Sequence, residues 1–255
     1  MARYFIEVAY KGFHYHGWQR QKNAVGIQNL IEEALSRVFK TEIQVKGASR
    51  TDAGAHAYQN FAHFDWDDEI PPKPIFRLNY LLPHDVVVKG LYRVPDEAHA
   101  RFSVMLRTYI YRVHLKRNPF LEELSYYYPI PGPLDIPLMN KAATLLLNSH
   151  DYTAFARSDP QTYSMKCYIT YARWFYNKSK QQLVFIIEGN RFLRGMVRGL
   201  VGTMLRVGRG LMPIEEFEHV LRTGHKERVD FSPPGHGLYL KRLKYPFRFV
   251  WERWT

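Results

Sequence analysis

With 255 residues the chain has room for one large or two modest domains, and its single cysteine, Cys167, excludes both an internal disulfide framework and a multi-cysteine zinc site. No run approaches the ~20 apolar residues of a membrane span, and the N-terminus is polar by Lys11 without a signal-peptide core, so a soluble cytoplasmic protein with no membrane partner is expected. The 36 Lys+Arg against 24 Asp+Glu give a formal charge of +12, and with 18 Tyr and 16 Phe beside them they point to nucleic acid as partner, the plainer reading being a basic protein that is merely soluble.

Residues 4–10 are rich in β-formers and predict a strand, ended by Lys11-Gly12. Ile27, Leu30, Ile31, Ala34, Leu35 and Val38 recur at helical spacing and predict an amphipathic helix over about 26–39. A short strand is expected at 43–45 and another at 58–64, after a Gly/Ala/Ser-rich turn. Residues 75–82 predict a short helix closed by Pro83, and 86–92 and 108–115 predict strands. The proline-broken stretch 118–137 reads as connection. A helix follows over about 138–148, then strands at 169–176 and 183–189. Residues 192–208 read as a helix and 213–222 as another, with Pro213 suited to its first turn and Gly224 to its C-terminal cap. This order argues for an α+β protein with a largely antiparallel sheet. The mixture occurs twice, dividing the chain into halves 1–105 and 106–255 that share one sheet.

Three segments can carry chemistry. In the first, 47–57, small residues and Gly54 permit close approach of a ligand, Asp52 supplies a carboxylate, and Arg50 can pair with it or reach a phosphate or base. The alternative is an Asx-type turn. In the second, 107–112, a strand would put Arg107, Tyr109 and Tyr111 on one face, as an aromatic platform beside a cation or as half-buried core tyrosines. In the third, 191–206, Arg191, Arg194 and Arg198 fall together at helical spacing, apart from a stripe of Met196, Leu200 and Met204. Its glycines each cost about 1 kcal/mol in a helix, so a neighbour should approach the backbone there. That accounts for the glycines and leaves the arginines to find carboxylates or phosphates.

The sequence has no GxxxxGK[ST] phosphate loop, dinucleotide GxGxxG, HExxH or GxSxG motif. His14 and His16 form the one close histidine pair and lack a nearby third ligand, so no metal site is assigned to them.

Taken in order, the segments resemble the TruA family of tRNA pseudouridine synthases. The likeness begins with Tyr10-Lys11-Gly12, Gly17-Trp18-Gln19-Arg20-Gln21 and Ile27-Gln28, and centres on Arg50-Thr51-Asp52-Ala53-Gly54-Ala55-His56-Ala57. It continues through Leu78-Asn79, Leu82-Pro83, His99-Ala100-Arg101-Phe102-Ser103 and Arg107-Thr108-Tyr109-Ile110-Tyr111. It ends with Asp151-Tyr152-Thr153-Ala154-Phe155, Phe192-Leu193, Met196-Val197-Arg198 and Gly237-Leu238-Tyr239-Leu240. Ser49, Ala55, Lys11 and Arg194-Gly195 depart from the family's usual residues, none at a catalytic position.

The resemblance implies the pseudouridine synthase fold, with a central basic cleft between the Asp52-bearing half and the half carrying the tyrosine strand and arginine-rich helix. It implies that Asp52 is the catalytic aspartate, that Arg198 pairs with it, and that Arg50 enters the RNA as the target nucleotide turns out. Tyr109 then packs on the target base, while Leu238 and Leu240 close an apolar wall. Conversion of uridine to pseudouridine gains and loses no atoms overall, so no cofactor or metal is expected. The implied substrate is the tRNA anticodon arm, around positions 38 to 40, and the implied assembly is a homodimer. Two other classes stay open: a non-catalytic RNA-binding protein using the same basic and aromatic residues, and an RNA hydrolase using Asp52 and His56.

Overall fold

In the computed structural model, which describes residues 1–130, 132–157 and 164–246, the β-branched and aromatic runs become strands of a large, mostly antiparallel sheet in a mixed α/β structure. The chain divides into two units, Met1–Met105 with the stretch from Leu240 onward, and Leu106–Tyr239. Among the described residues no helix is long and apolar enough to cross a membrane.

In the first unit β1 (Ala2–Tyr10) runs antiparallel to both β3 (His56–Trp66) and β4 (Val86–Val94). With partners on both edges, it is buried continuously from Tyr4 to Val8. Glu7 lies within that run because Tyr92 Oη (2.8 Å), Gln59 Nε2 (3.0 Å) and Lys89 Nζ (3.1 Å) all donate to its carboxylate, which offsets its desolvation. The helix α1 (Ile27–Phe39) buries Ile27, Ile31, Ala34, Leu35 and Val38 of the apolar face expected from the spacing, while Leu30 is half-buried at its margin. It starts where the Asn29 side chain accepts the Gly26 N–H at 3.1 Å.

The strand expected at 43–45 is absent. Ile43 N donates to Ser36 Oγ (2.9 Å), Val45 N to Glu32 Oε1 (3.0 Å), and Val45 O accepts from Gln28 Nε2 (3.1 Å). Side chains of α1 thus take the backbone groups that a sheet ladder would use. The pairing starts one residue later, in the two-residue β2 (Lys46–Gly47) against β3. The helix α2 (Pro74–Leu81) is tied to β4 by Asn79, whose amide both donates to Val88 O (2.9 Å) and accepts from Val88 N (2.7 Å).

In the second unit β5 (Leu106–His114), β8 (Gln182–Gly189) and β7 (Ile169–Asn177) pair antiparallel in that order. Leu183, Phe185 and Ile187 are buried while their alternates are half-buried, so β8 has one core face. Within the core Trp174 stacks on Phe185 at 4.9 Å. The proline-rich stretch also contains β6 (Tyr126–Tyr127), parallel to β5. The helix α3 (Ile136–Leu145) begins earlier than expected because Asp135 caps it, accepting from Leu138 N at 2.8 Å.

The third candidate segment is helical only as α4 (Met196–Gly208): Gly195 takes a left-handed φ of +72°, and Met196 N donates to Leu193 O at 3.1 Å, so a turn at Arg194-Gly195 precedes the helix. Arg191 and Arg194 consequently lie before the helix, and the expected arginine stripe reduces to Arg198. Met196, Leu200 and Met204 are fully buried. The glycine reading holds. A Cβ on Gly199 would meet the Phe231 ring at 2.7 Å, and one on Gly202 would collide with Asp230 O, so residues 229–233 lie against the helix backbone. Pro213 sits immediately before α5 (Ile214–Thr223) rather than in its first turn, and Gly224, at φ +76°, caps the end. β9 (Leu238–Lys244), which completes the set, was not among the expected strands.

Candidate active site

The loop joining β2 to β3 is held by the segment that follows β1. Trp18 N donates to Thr51 O (3.2 Å) and Gly54 N to Tyr15 O (3.0 Å), while Ala55 N closes the turn onto the main-chain oxygen of Asp52 (3.1 Å). Two glycines make this approach possible. Gly17 has φ +84°, and a Cβ there would stand 2.5 Å from Thr51 O and 3.1 Å from the Asp52 carbonyl carbon. A Cβ on Gly12 would collide with Ala55 O. On the buried side Tyr10 Oη and Thr51 Oγ1 share a hydrogen bond of 2.8 Å, and Asn60 Nδ2 donates to Ser49 O (3.1 Å).

These contacts engage the loop's backbone and its small polar side chains. Asp52 is half-buried and Arg50 exposed, so a fixed main chain offers a carboxylate and a guanidinium two residues apart. Such preorganisation is what a nucleophile or base requires, since misplacement by about 1 Å can cost roughly 10²-fold in rate. The Tyr10–Thr51–Asn60 network was not singled out from the sequence. Its only sequence signal was the presence of polar types within otherwise apolar runs.

His56 has a different part. Its side chain is 1% exposed, and Nδ1 accepts the Gly12 N–H at 3.1 Å. An acceptor Nδ1 belongs to the neutral imidazole, so this histidine is fastened into the loop's foundation, and the reading that pairs it with Asp52 as a hydrolytic acid loses support. His14 and His16 are exposed. Among the described residues no group of three or more His, Cys, Asp or Glu is placed to hold a metal ion.

The first unit therefore brings Arg50 and Asp52 together and also contains Leu240, which is fully buried on β9. Tyr109, Arg198 and Leu238 belong to the second unit. Tyr109, 7% exposed on β5, meets Phe192 edge-on at 5.1 Å. Phe192 lies just before the turn that leads into α4, and Arg198 lies in the first turn of that helix, with Nε donating to Pro233 O at 2.6 Å. Leu238 is 5% exposed at the start of β9.

Tyr111, the other half of the expected platform, is a core residue. It has no exposed surface, its hydroxyl donates to Pro234 O at 2.7 Å, and a Cβ on Gly237 would lie 2.5 Å from its ring. Burial holds its phenol well above the ordinary value. His236, beside the start of β9, is pushed down by burial first, then by its interaction with His114 and by the Arg198 guanidinium.

Comparison with known proteins gives these placements a family context. A family profile described as tRNA pseudouridine synthase matches residues 142–246. The chain is 42% identical to the tRNA pseudouridine synthase A of Parabacteroides distasonis, over 96% of this chain and 97% of that protein. It is 41% identical to the protein of the same name from Porphyromonas gingivalis, over 96% and 98%. It is 37% identical to that of Streptococcus thermophilus, over 96% and 100%. Likeness at this level along nearly the whole length shows that the chain belongs to the tRNA pseudouridine synthase A family.

Proposed function

We propose that the protein converts uridine to pseudouridine in the anticodon stem-loop of tRNA, around positions 38 to 40. The observation that carries this reading is full-length membership of the family. The firmly seated Asp52 loop supports it.

The reaction breaks the N1–C1′ bond, turns the base, and joins C5 to C1′; the C5 proton leaves and N1 gains one. The target base must first leave its stack, at a cost of a few kcal/mol. Arg50 fills the vacated space, and stacking on Tyr109 returns about 1–3 kcal/mol. Asp52 then acts as nucleophile or base toward the sugar or the uracil. Arg198 is its cationic partner, since a neighbouring cation favours the charged form of a carboxylate. Leu238 and Leu240 contribute an apolar wall that keeps water from the detached base. These roles assign the chemistry to a basic cleft between two α/β halves, in a homodimer whose tRNA touches both subunits.

The experiment is carbodiimide mapping of pseudouridine on an unmodified tRNA transcript, with Asp52→Asn in parallel. New stops confined to the anticodon arm and absent with the variant are expected, while the variant's tRNA affinity stays within a few-fold of wild type. Full activity in Asp52→Asn removes the catalytic assignment. Tight binding without modification across a range of tRNAs establishes the non-catalytic RNA-binding reading instead.

A further inference from the structure

The first unit also has an aromatic and cationic surface, on the turn that follows β4. Ser103 N donates to His99 O (2.9 Å) and His99 N to Ser103 Oγ (3.0 Å), which closes the turn. Arg101 N and Phe102 N both donate to His99 Nδ1, at 3.1 and 3.3 Å. Underneath, the buried Ala100 is held by both its backbone polar groups: its N–H donates to His63 Nδ1 (3.2 Å), and its carbonyl accepts from Tyr245 Oη (2.6 Å).

A turn bonded in this way keeps the Phe102 ring outward, where it is 75% exposed. A large ring left in water forgoes the burial that would stabilise it, and here the backbone prevents its retreat. The surroundings suit a nucleotide. His99 packs on the Phe102 ring at 4.4 Å between centroids, and the Arg101 guanidinium lies 5.7 Å from the ring centre. Lys46, exposed on β2 opposite His63, adds a second cation on the same side. Burial and the charges of Lys46, Arg3 and Arg101 keep His99 neutral at physiological pH. The nearby Asp65 and Asp96 carboxylates are paired with Arg3 (2.7 Å) and Arg93 (2.6 Å).

We propose that the His99–Ser103 turn is a nucleotide subsite for the RNA substrate, in which an unstacked base lies on Phe102 while its phosphate is met by Arg101 and Lys46. The inference rests on the protein's acting on RNA, as proposed above. A ring can receive a base only where that base has left its helix, so the occupant is a loop nucleotide rather than a paired one. The chain bounds how far the backbone of Lys46 lies from that of Arg50. The four steps from Lys46 to Arg50 span at most about 14 Å, or about four stacked nucleotides at about 3.4 Å each.

Binding and turnover of an unmodified tRNA transcript by Phe102→Leu, Phe102→Trp and Arg101→Gln test this. Losing one stacked base weakens binding roughly tenfold. Phe102→Leu should raise Kd and KM by about that factor with kcat within about twofold, and Phe102→Trp should bind at least as tightly as wild type. Arg101→Gln should weaken binding and reduce the slope of log affinity against log salt by about one. Melting temperatures should stay at the wild-type value, because these side chains stand in solvent. Wild-type affinity in Phe102→Leu, or equal losses in the Leu and Trp variants, overturns the subsite. If wild type forms pseudouridine and Phe102→Leu matches it, the subsite alone fails. If wild type binds tRNA without modifying it, the isomerase reading fails, and the Phe102 affinities still decide whether RNA uses this turn.

Discussion

Replacing Gly17 with alanine tests whether the contact beneath the Asp52 loop sets the rate of the reaction. The backbone there has φ +84°, and the added methyl carbon would stand 2.5 Å from Thr51 O and 3.1 Å from the Asp52 carbonyl carbon. Adopting that conformation costs an alanine about 1–2 kcal/mol, and relieving the overlap costs about 1–3 kcal/mol more. The sum of about 2–5 kcal/mol corresponds to a melting temperature roughly 4–20 °C lower for a chain of this size. The overlap is relieved by moving main chain at Thr51 and Asp52, and a displacement approaching 1 Å lowers the rate by roughly 10²-fold. Gly210→Ala supplies the control. That residue has φ +70° and no heavy atom within 4 Å of the added carbon, so it carries the conformational cost without the collision. Melting curves and single-turnover pseudouridine formation at saturating tRNA should show both variants destabilised and only Gly17→Ala slowed. Equal rates in the two would refute the idea that this contact positions Asp52.

Acidification offers another check. Burial, then the neighbouring His99 and Arg3, push His63 down to about 4. Between about pH 6.5 and pH 4 the unfolded chain therefore takes up a proton that the folded one declines, and stability falls as pH falls through that window. His63→Phe should shrink the drop in melting temperature between pH 7.5 and pH 5, and an unchanged drop would assign the acid sensitivity elsewhere. Tyr111→Phe leaves the Pro234 carbonyl without its 2.7 Å donor and should cost about 1–2 kcal/mol in urea unfolding. A loss below about 0.3 kcal/mol would mean that water replaces the hydroxyl.

Periodicity made α1, β1, β4 and β8 legible because each owes its place to one apolar face or to a continuous apolar run. Residues 43–45 misled for a physical reason. Their β-forming side chains are buried as a strand's would be, yet their backbone groups are bonded by Glu32, Gln28 and Ser36 of α1, a choice that tertiary placement makes. The start of α4 is not legible in the apolar spacing, which runs on through Gly195, whereas the left-handed conformation of that glycine breaks the helix there. In the candidate site, Asp52 and Arg50 stood out by residue type and, more strongly, by the ordered resemblance around them. The support under them did not, since the bonds from Trp18 and Tyr15 to the loop are main-chain bonds that no side-chain pattern announces. The exposure of Phe102 was hidden because it follows from bonds that distant side chains, His63 and Tyr245 among them, make to the turn backbone.

The membership of β9 has a consequence for how the protein is made. β3 receives β9 along one side, and Met105 N donates to Lys244 O at 2.8 Å. The first unit therefore waits for residues translated roughly 140 positions later, a delay of about 7–28 s at about 5–20 residues per second. Meanwhile the 11-residue β3 presents much of an unpaired side, the kind of edge on which nascent chains pair wrongly. The second unit is contiguous from Leu106 to Tyr239 and has all its own sequence before the earlier one does. Emergence from the ribosome and completion of folding thus run in opposite orders, and the interval between them is when this chain most needs a holding chaperone.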